Sequence, residues 1–219
     1  MRSAYDGHVE AGTGTAERRD GRLVVRKLSV GEMDNNVYLL ADAETGDAYV
    51  IDAAAQPDRI RGAVAGLTPL AALQTHGHWD HVRAWDDLRE DPGMGIWGHE
   101  GDVELFPRRP DRLLVHGERL PLGGLEVEVI HTPGHTEGGL NYLVRGEGRP
   151  HLFTGDSLFP GGVGNTWDDP DRFRRLFESV RERLFDALPD ETWVYPGHGD
   201  DTTLGTERPN LPEWEARGW

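Results

Sequence analysis

The stretch Thr75-His76-Gly77-His78-Trp79-Asp80-His81 constrains this chain more than any other. It packs three imidazoles and a carboxylate into six residues, a density that secondary structure alone does not require. Neutral imidazole nitrogens together with carboxylate oxygens suit zinc, iron or manganese. A metal site is therefore the first reading, against the bland alternative of a polar loop that is merely histidine-rich. Leu70 to Gln74 reads as a short buried strand entering the stretch, and Val82 to Leu88 as a helix leaving it. In such a strand-to-helix loop His76 and His78 can face one centre while Asp80 and His81 turn toward another. Two adjacent metals are thus within reach of one loop.

Length and composition bound the alternatives. The 219 residues are most simply one domain, long enough to bury a core without staples. The absence of cysteine removes disulfides, zinc-thiolate sites and cysteine nucleophiles, and fits a reducing compartment. The formal charge of −16 comes from 39 acidic against 23 basic residues, with Lys27 the sole lysine. Such a surface repels phosphate backbones, so no nucleic acid partner is expected. Arg108-Arg109 and Arg174-Arg175 read as solvated surface. The first 22 residues are polar and hold no apolar core of a signal peptide, and no stretch approaches the length of a membrane span. A cytoplasmic protein without membrane attachment is the expectation.

In chain order, residues 1–21 read as a mobile extension, too polar to order itself. Residues 22–219 form the single domain. Strands are predicted at Leu23 to Val30, Asn36 to Ala41 and Ala48 to Asp52, with turn chemistry at Glu44 to Asp47. Asp52, at a strand end, can either support the metal loop or serve as a simple turn residue. A helix opens at Pro57. Gly95 to Trp97 reads as a short strand and Glu100 to Phe106 as a short helix. Leu125 to Ile130 alternates apolar and acidic residues, the mark of a half-exposed strand, and runs into His131 and His135. Strands at Leu140 to Val144 and His151 to Thr154 follow, the second opening into Asp156 and Ser157. Asp169 and Pro170 start a helix whose apolar face is Phe173, Leu176, Phe177, Val180, Leu184 and Leu188. Thr192 to Tyr195 is a last strand, before His198.

Ligand-type residues thus stand at four separate strand ends: His76 to His81, His135, Asp156 and His198. Intervals of 54, 21 and 42 residues separate them, so they are no single local tract. Strand ends on one edge of a sheet converge, and sites are built there. His131, His99, His116 and His151 lack partner spacing and read as structural. Trp79, Asn165 and Thr166 are candidates for the substrate pocket, with Tyr142 and Trp167 undecided.

These four segments, Thr-His-Gly-His-Trp-Asp-His, Thr-Pro-Gly-His-Thr, Thr-Gly-Asp-Ser and Pro-Gly-His-Gly in this order, resemble the metallo-β-lactamase superfamily, and within it the glyoxalase II-like hydrolases. The resemblance covers Leu23 to His198. It implies an α/β (α+β) fold, a four-layer αβ/βα sandwich. It places His76, His78 and His135 on one metal, Asp80, His81 and His198 on a second, and Asp156 between them. The implied cofactors are two divalent ions, zinc first, with iron or manganese as alternatives. The implied activity is cleavage of a small-molecule thioester or related ester by a hydroxide bridging the metals. Asp80 then orients the nucleophile and manages protons, and Ser157 supports Asp156. The same scaffold admits an iron persulfide dioxygenase, with His76, His135 and Asp156 as its facial triad, or a lactone or β-lactam hydrolase. Two departures bear on substrate. Only 21 residues follow His198, where glyoxalase II enzymes carry a helical region that helps recognise glutathione. Val82-Arg83-Ala84 replaces the glycine pair that commonly follows the central motif.

Overall fold

Runs of Val, Leu, Ile and Tyr between turns favour strands that can be covered on both faces. The computed structural model describes residues 5–218 and arranges these runs in two sheets. The first, in spatial order, contains β1 (Ala16–Asp20), β2 (Leu23–Val30), β3 (Asn35–Asp42), β4 (Asp47–Ile51), β5 (Thr68–Leu73), β6 (Ile96–Gly98) and β7 (Arg112–Leu113). Its first four strands are antiparallel, and β4 to β7 run parallel. The chain then builds β8 (Arg119–Leu122), β9 (Leu125–His131), β10 (Leu140–Arg145) and β11 (Pro150–Gly155). A small ribbon of β12 (Leu158–Phe159) and β13 (Gly162–Val163) precedes β14 (Trp193–Pro196) and β15 (Thr202–Thr203). The second sheet has the order β15-β14-β11-β10-β9-β8.

Period-two alternation divides the apolar side chains into three cores. Leu23, Val25, Tyr38, Leu40 and Ile51 meet Val127, Val129, Tyr142, Phe153 and Tyr195, so the two sheets pack face to face. The intervening residues Val24, Leu39 and Val50 point the other way. They meet Ile60 of α1 (Pro57–Val64) and Trp85 and Leu88 of α2 (Trp85–Arg89). On the far face of the second sheet, Ile130, Leu143, Leu152 and Val194 meet Leu176, Phe177 and Val180 of α3 (Pro170–Val180). The result is helix, sheet, sheet, helix, the expected αβ/βα sandwich. Asp169 caps α3 by accepting from the Asp171 and Arg172 amides at 2.9 and 3.1 Å, with Pro170 in the first turn. After one π turn at Arg181–Phe185 and the strands β14 and β15, α4 (Leu204–Glu207) and α5 (Leu211–Arg217) close the chain, with Trp214 buried on Phe185. Among the described residues no helix is long and apolar enough to cross a membrane.

The amino-terminal boundary differs from expectation. Composition places residues 1–21 in a mobile extension, yet Ala16–Asp20 forms β1, paired with Leu23 to Lys27 across a turn at Gly21, whose φ of 58° suits glycine. Its charged side chains are drawn into the fold: the Glu17 carboxylate accepts from Arg19 and Arg26, each at 2.9 Å, and the Arg18 guanidinium lies 3.6 Å from the centroid of the Trp193 ring. Residues 1–4 lie outside the described chain. The Glu100 to Phe106 helix shrinks to one 3₁₀ turn at Glu100–Asp102, because the buried Asp102 carboxylate is committed to the amides of Gly77 and Gly138 at 2.9 and 2.6 Å.

Further upstream, residues 5–8 lie against the last loop. The sole lysine, Lys27, is fully buried. Its ammonium donates to the carbonyls of Gly7 and Gly199 at 2.8 and 2.7 Å and to Asp201 at 2.8 Å. Tyr5 donates its hydroxyl to the same carboxylate. Removing one member of a desolvated pair leaves the other charge uncompensated, at about 3–5 kcal/mol. Lys27→Met is thus expected to lower the melting temperature by on the order of 10 °C. A thermal melt shifted by less than about 2 °C would show that the pair is not desolvated in solution.

Candidate metal centre

The loops at the ends of β5, β9, β11 and β14 are stitched together by backbone bonds across the two sheets. The Leu140 amide donates to the Thr75 carbonyl at 2.7 Å, Gly197 to Gly155 at 2.8 Å, and Asn36 to Gly197 at 2.7 Å. The close approach also explains a glycine: a Cβ on Gly197 would lie 2.1 Å from Asp156 Oδ1 and 2.9 Å from His81 Cε1.

The fold brings all of His76, His78, Asp80, His81, His135, Asp156 and His198 into one cluster. The donor atoms of His76, His78 and His135 lie within 4.8 Å of one another, as do those of Asp80, His81 and His198. A third such group, His76, His81 and Asp156, joins the two. Asp156 reaches both sides, with Oδ1 3.4 Å from His81 Nε2 and Oδ2 3.6 Å from both His135 Nε2 and His198 Nε2.

The outward nitrogens fix how these rings point. His81 Nδ1 donates to Asp52 at 2.8 Å, His135 Nδ1 to the Asn165 carbonyl at 2.8 Å, and His198 Nδ1 to the Met33 carbonyl at 2.9 Å. The Thr75 hydroxyl donates to Asp52 at 2.8 Å, so it accepts from His76 Nδ1 at 3.0 Å. With Nδ1 protonated in each ring, the Nε2 lone pairs face inward, an assignment drawn from the hydrogen-bond network. Buried polar atoms are normally paired. His76 Nε2, His135 Nε2 and Asp156 Oδ1 are buried and have no hydrogen-bond partner. Inward-aimed, unpartnered nitrogen and oxygen donors are the arrangement a divalent cation completes, and these residues fit one.

Electrostatics agree with this arrangement. Burial, reinforced by neighbouring imidazoles, drives His135 down to about 4 and His76 well below the usual histidine range, so both are neutral donors. Burial would also depress His81, but the Asp156 and Asp52 carboxylates overcome it and raise that ring. His198 is raised against its burial by the hydrogen bond to Asp80 and the charge of Asp156. Asp80 resists the upward pull of burial through His198, His81 and the Asn35 amide, which donates at 2.8 Å, and stays well below the usual carboxylate range. The carboxylate side of the cluster therefore attracts positive charge, a proton in the absence of a cation.

Of the pocket candidates, Trp79 stands at the mouth, 60% exposed. Asn165 acts through its carbonyl on His135, and its side chain accepts from the Trp167 amide at 2.7 Å. Thr166 is fully buried, just before Trp167 and Asp168 take left-handed backbone, and lines a small cavity with Asp168, Pro170 and Phe173. Trp167 instead lies on the ligand rings, 5.3 Å from His135 and 5.4 Å from His78 between centroids. Tyr142 is a core residue donating to the Gln74 carbonyl at 2.5 Å. His131 stacks on His99 at 4.1 Å, and His151 bonds Tyr195 and Asp20, both outside the cluster. Ser157 is buried and donates to Asn141 and to the Thr154 carbonyl at 2.7 and 2.9 Å, bracing the turn that carries Asp156. Asn35 and Asp102 carry no signal in the sequence that separates them from ordinary turn residues. Asp52 had one, a carboxylate at a strand end, and the structure settles its role beside the metal loop.

Residues 30–198 match the family model of the metallo-beta-lactamase superfamily. The hydroxyacylglutathione hydrolase GloC of Haemophilus influenzae is 32% identical over 205 residues, covering 84% of this chain and 95% of its own. Among solved structures, ETHE1 from Myxococcus xanthus aligns with a TM-score of 0.73 and 33% identity, over 86% of this chain and 83% of that one. TTHA1623 in a di-iron-bound form aligns with a TM-score of 0.69 and 35% identity, over 83% of this chain and 96% of that one. With the matched region spanning every strand end that carries a donor, this chain belongs to the metallo-beta-lactamase superfamily.

Proposed function

We propose that this chain is a binuclear metal-dependent hydrolase that cleaves a small-molecule thioester or related ester. The observation that carries the reading is the completeness of the second donor set, Asp80, His81 and His198, joined to the first through Asp156. His76, His78 and His135 would hold one divalent ion and Asp80, His81 and His198 the other, with Asp156 within reach of both donor sets. Zinc suits three-nitrogen and mixed nitrogen-oxygen sites, as do iron and manganese. Two such ions supply a water acidified toward neutral pH and a Lewis acid for the substrate carbonyl.

The chain's own residues do the rest. Asp80, held ionised and fixed by Asn35, orients the attacking water by accepting a hydrogen bond from it. Asp52 holds His81 and, through Thr75, His76, so the two donor sets keep one geometry. Ser157 is buried and already donating elsewhere, so no serine nucleophile is needed. Similarity to a hydroxyacylglutathione hydrolase supports a thioester among the possible substrates. An iron dioxygenase would need only His76, His135 and Asp156, which leaves the second donor set without a purpose.

Asp80→Ala is expected to lower kcat for a thioester by about 10²-fold or more, the usual cost of misplacing a reacting group; wild-type turnover in that variant would sink the mechanism. Asp52→Asn, which keeps the volume but weakens the bonds to His81 and Thr75, is expected to weaken metal affinity by about 10- to 100-fold in chelator competition. Unchanged affinity would mean that Asp52 does not orient the ligands.

A further inference from the structure

Large apolar side chains seldom cluster in the open on a soluble protein. Five are exposed among the described residues, and four of them border the metal centre. Met33 supplies the carbonyl that holds His198. Trp79 lies between His78 and Asp80. Leu105 sits over Gly77, where an added Cβ would come within 2.5 Å of its own. Trp167 covers His135 and His78 while remaining 50% exposed. Its φ of 54° is rare for so bulky a residue. The guanidinium of Arg172, 4.4 Å from the ring centroid, and the Asn165 side chain hold it there.

Carboxylates outnumber cations around this collar, three against two. Exposed carboxylates flank three of the four residues directly: Asp34 beside Met33, Glu104 beside Leu105 and Asp168 beside Trp167. None of these three makes an ion pair among the described residues. The two nearby arginines are differently placed. Arg172 donates to the carbonyls of Gly134 and His135, and Arg83 lies over the Trp79 ring at 5.6 Å. An apolar ring whose rim carries more carboxylates than guanidinium groups favours uncharged apolar groups over a polyanionic carrier.

We propose that this collar binds an uncharged apolar acyl group, carried on a thiol or alcohol without net negative charge, and that Trp167 is its specificity-determining wall. The chemistry rests on the hydrolase reading above; the binding does not.

The test uses the metal-loaded full chain with acetyl and hexanoyl thioesters of N-acetylcysteamine, which is neutral, and of glutathione, which is anionic. Hexanoyl-N-acetylcysteamine is expected to exceed both its acetyl counterpart and hexanoyl-glutathione in kcat/KM by about tenfold or more, chiefly through KM. In Trp167→Asn, whose side chain tolerates left-handed backbone, the hexanoyl-to-acetyl ratio falls toward one. Met33→Gln reads the same ratio should that variant fail to fold. Preference for the glutathione thioester, or a ratio that survives both substitutions, overturns the proposal. If no thioester is cleaved, the hydrolase reading fails, and the collar is tested alone by tryptophan fluorescence with thioethers. S-hexyl-N-acetylcysteamine binding about tenfold more tightly than the S-methyl compound supports the collar; equal affinities overturn it.

Discussion

The molecule depends on imidazoles whose outer nitrogens are tied back to the protein so that their inner nitrogens converge. Asp52, the Asn165 carbonyl, the Met33 carbonyl and the Thr75 hydroxyl each accept a hydrogen bond from one ring. Without those bonds the rings would be free to turn, and burial would favour pairing them with other polar groups. With them, buried lone pairs of His76 and His135 and an oxygen of Asp156 remain unpartnered. A fold carries such a cost where a ligand offsets it, and the carboxylates of Asp80 and Asp156 give the ligand its sign.

The sandwich exists to hold this arrangement across two sheets. His76 to His81 come from the first sheet, and His135, Asp156 and His198 from the second, so neither sheet alone assembles the centre. The face-to-face core of Tyr38, Tyr142, Phe153 and Tyr195 sets the spacing beneath it. The loop that carries His198 is fastened from the opposite side of the chain: Lys27 and Asn36 both hold the Gly199 carbonyl, and Lys27 links it to Gly7. The chain's one lysine is therefore structural, and its burial leaves arginine to supply the surface cations.

Much of this was legible in the residues. The seven donors stood at strand ends, in segments whose order resembles one superfamily, and period-two alternation exposed the strands that carry them. What was illegible is the layer that depends on tertiary contact. Asn35 and Asp102 look like turn residues until the chain returns to place Asp80 beside one and the Gly77 and Gly138 amides beside the other. Polar composition hid β1, because its charges are neutralised by each other and by Arg26 on the neighbouring strand. The left-handed backbone at Trp167, which lays the indole on His135 and His78, has no signal in the sequence either.

Elemental analysis of the purified chain tests the binuclear centre most directly. Two equivalents of zinc, or of zinc, iron and manganese together, per chain are expected after growth without metal supplementation. One equivalent of iron with little else bound, accompanied by oxygen uptake on a persulfide, would contradict the binuclear hydrolase.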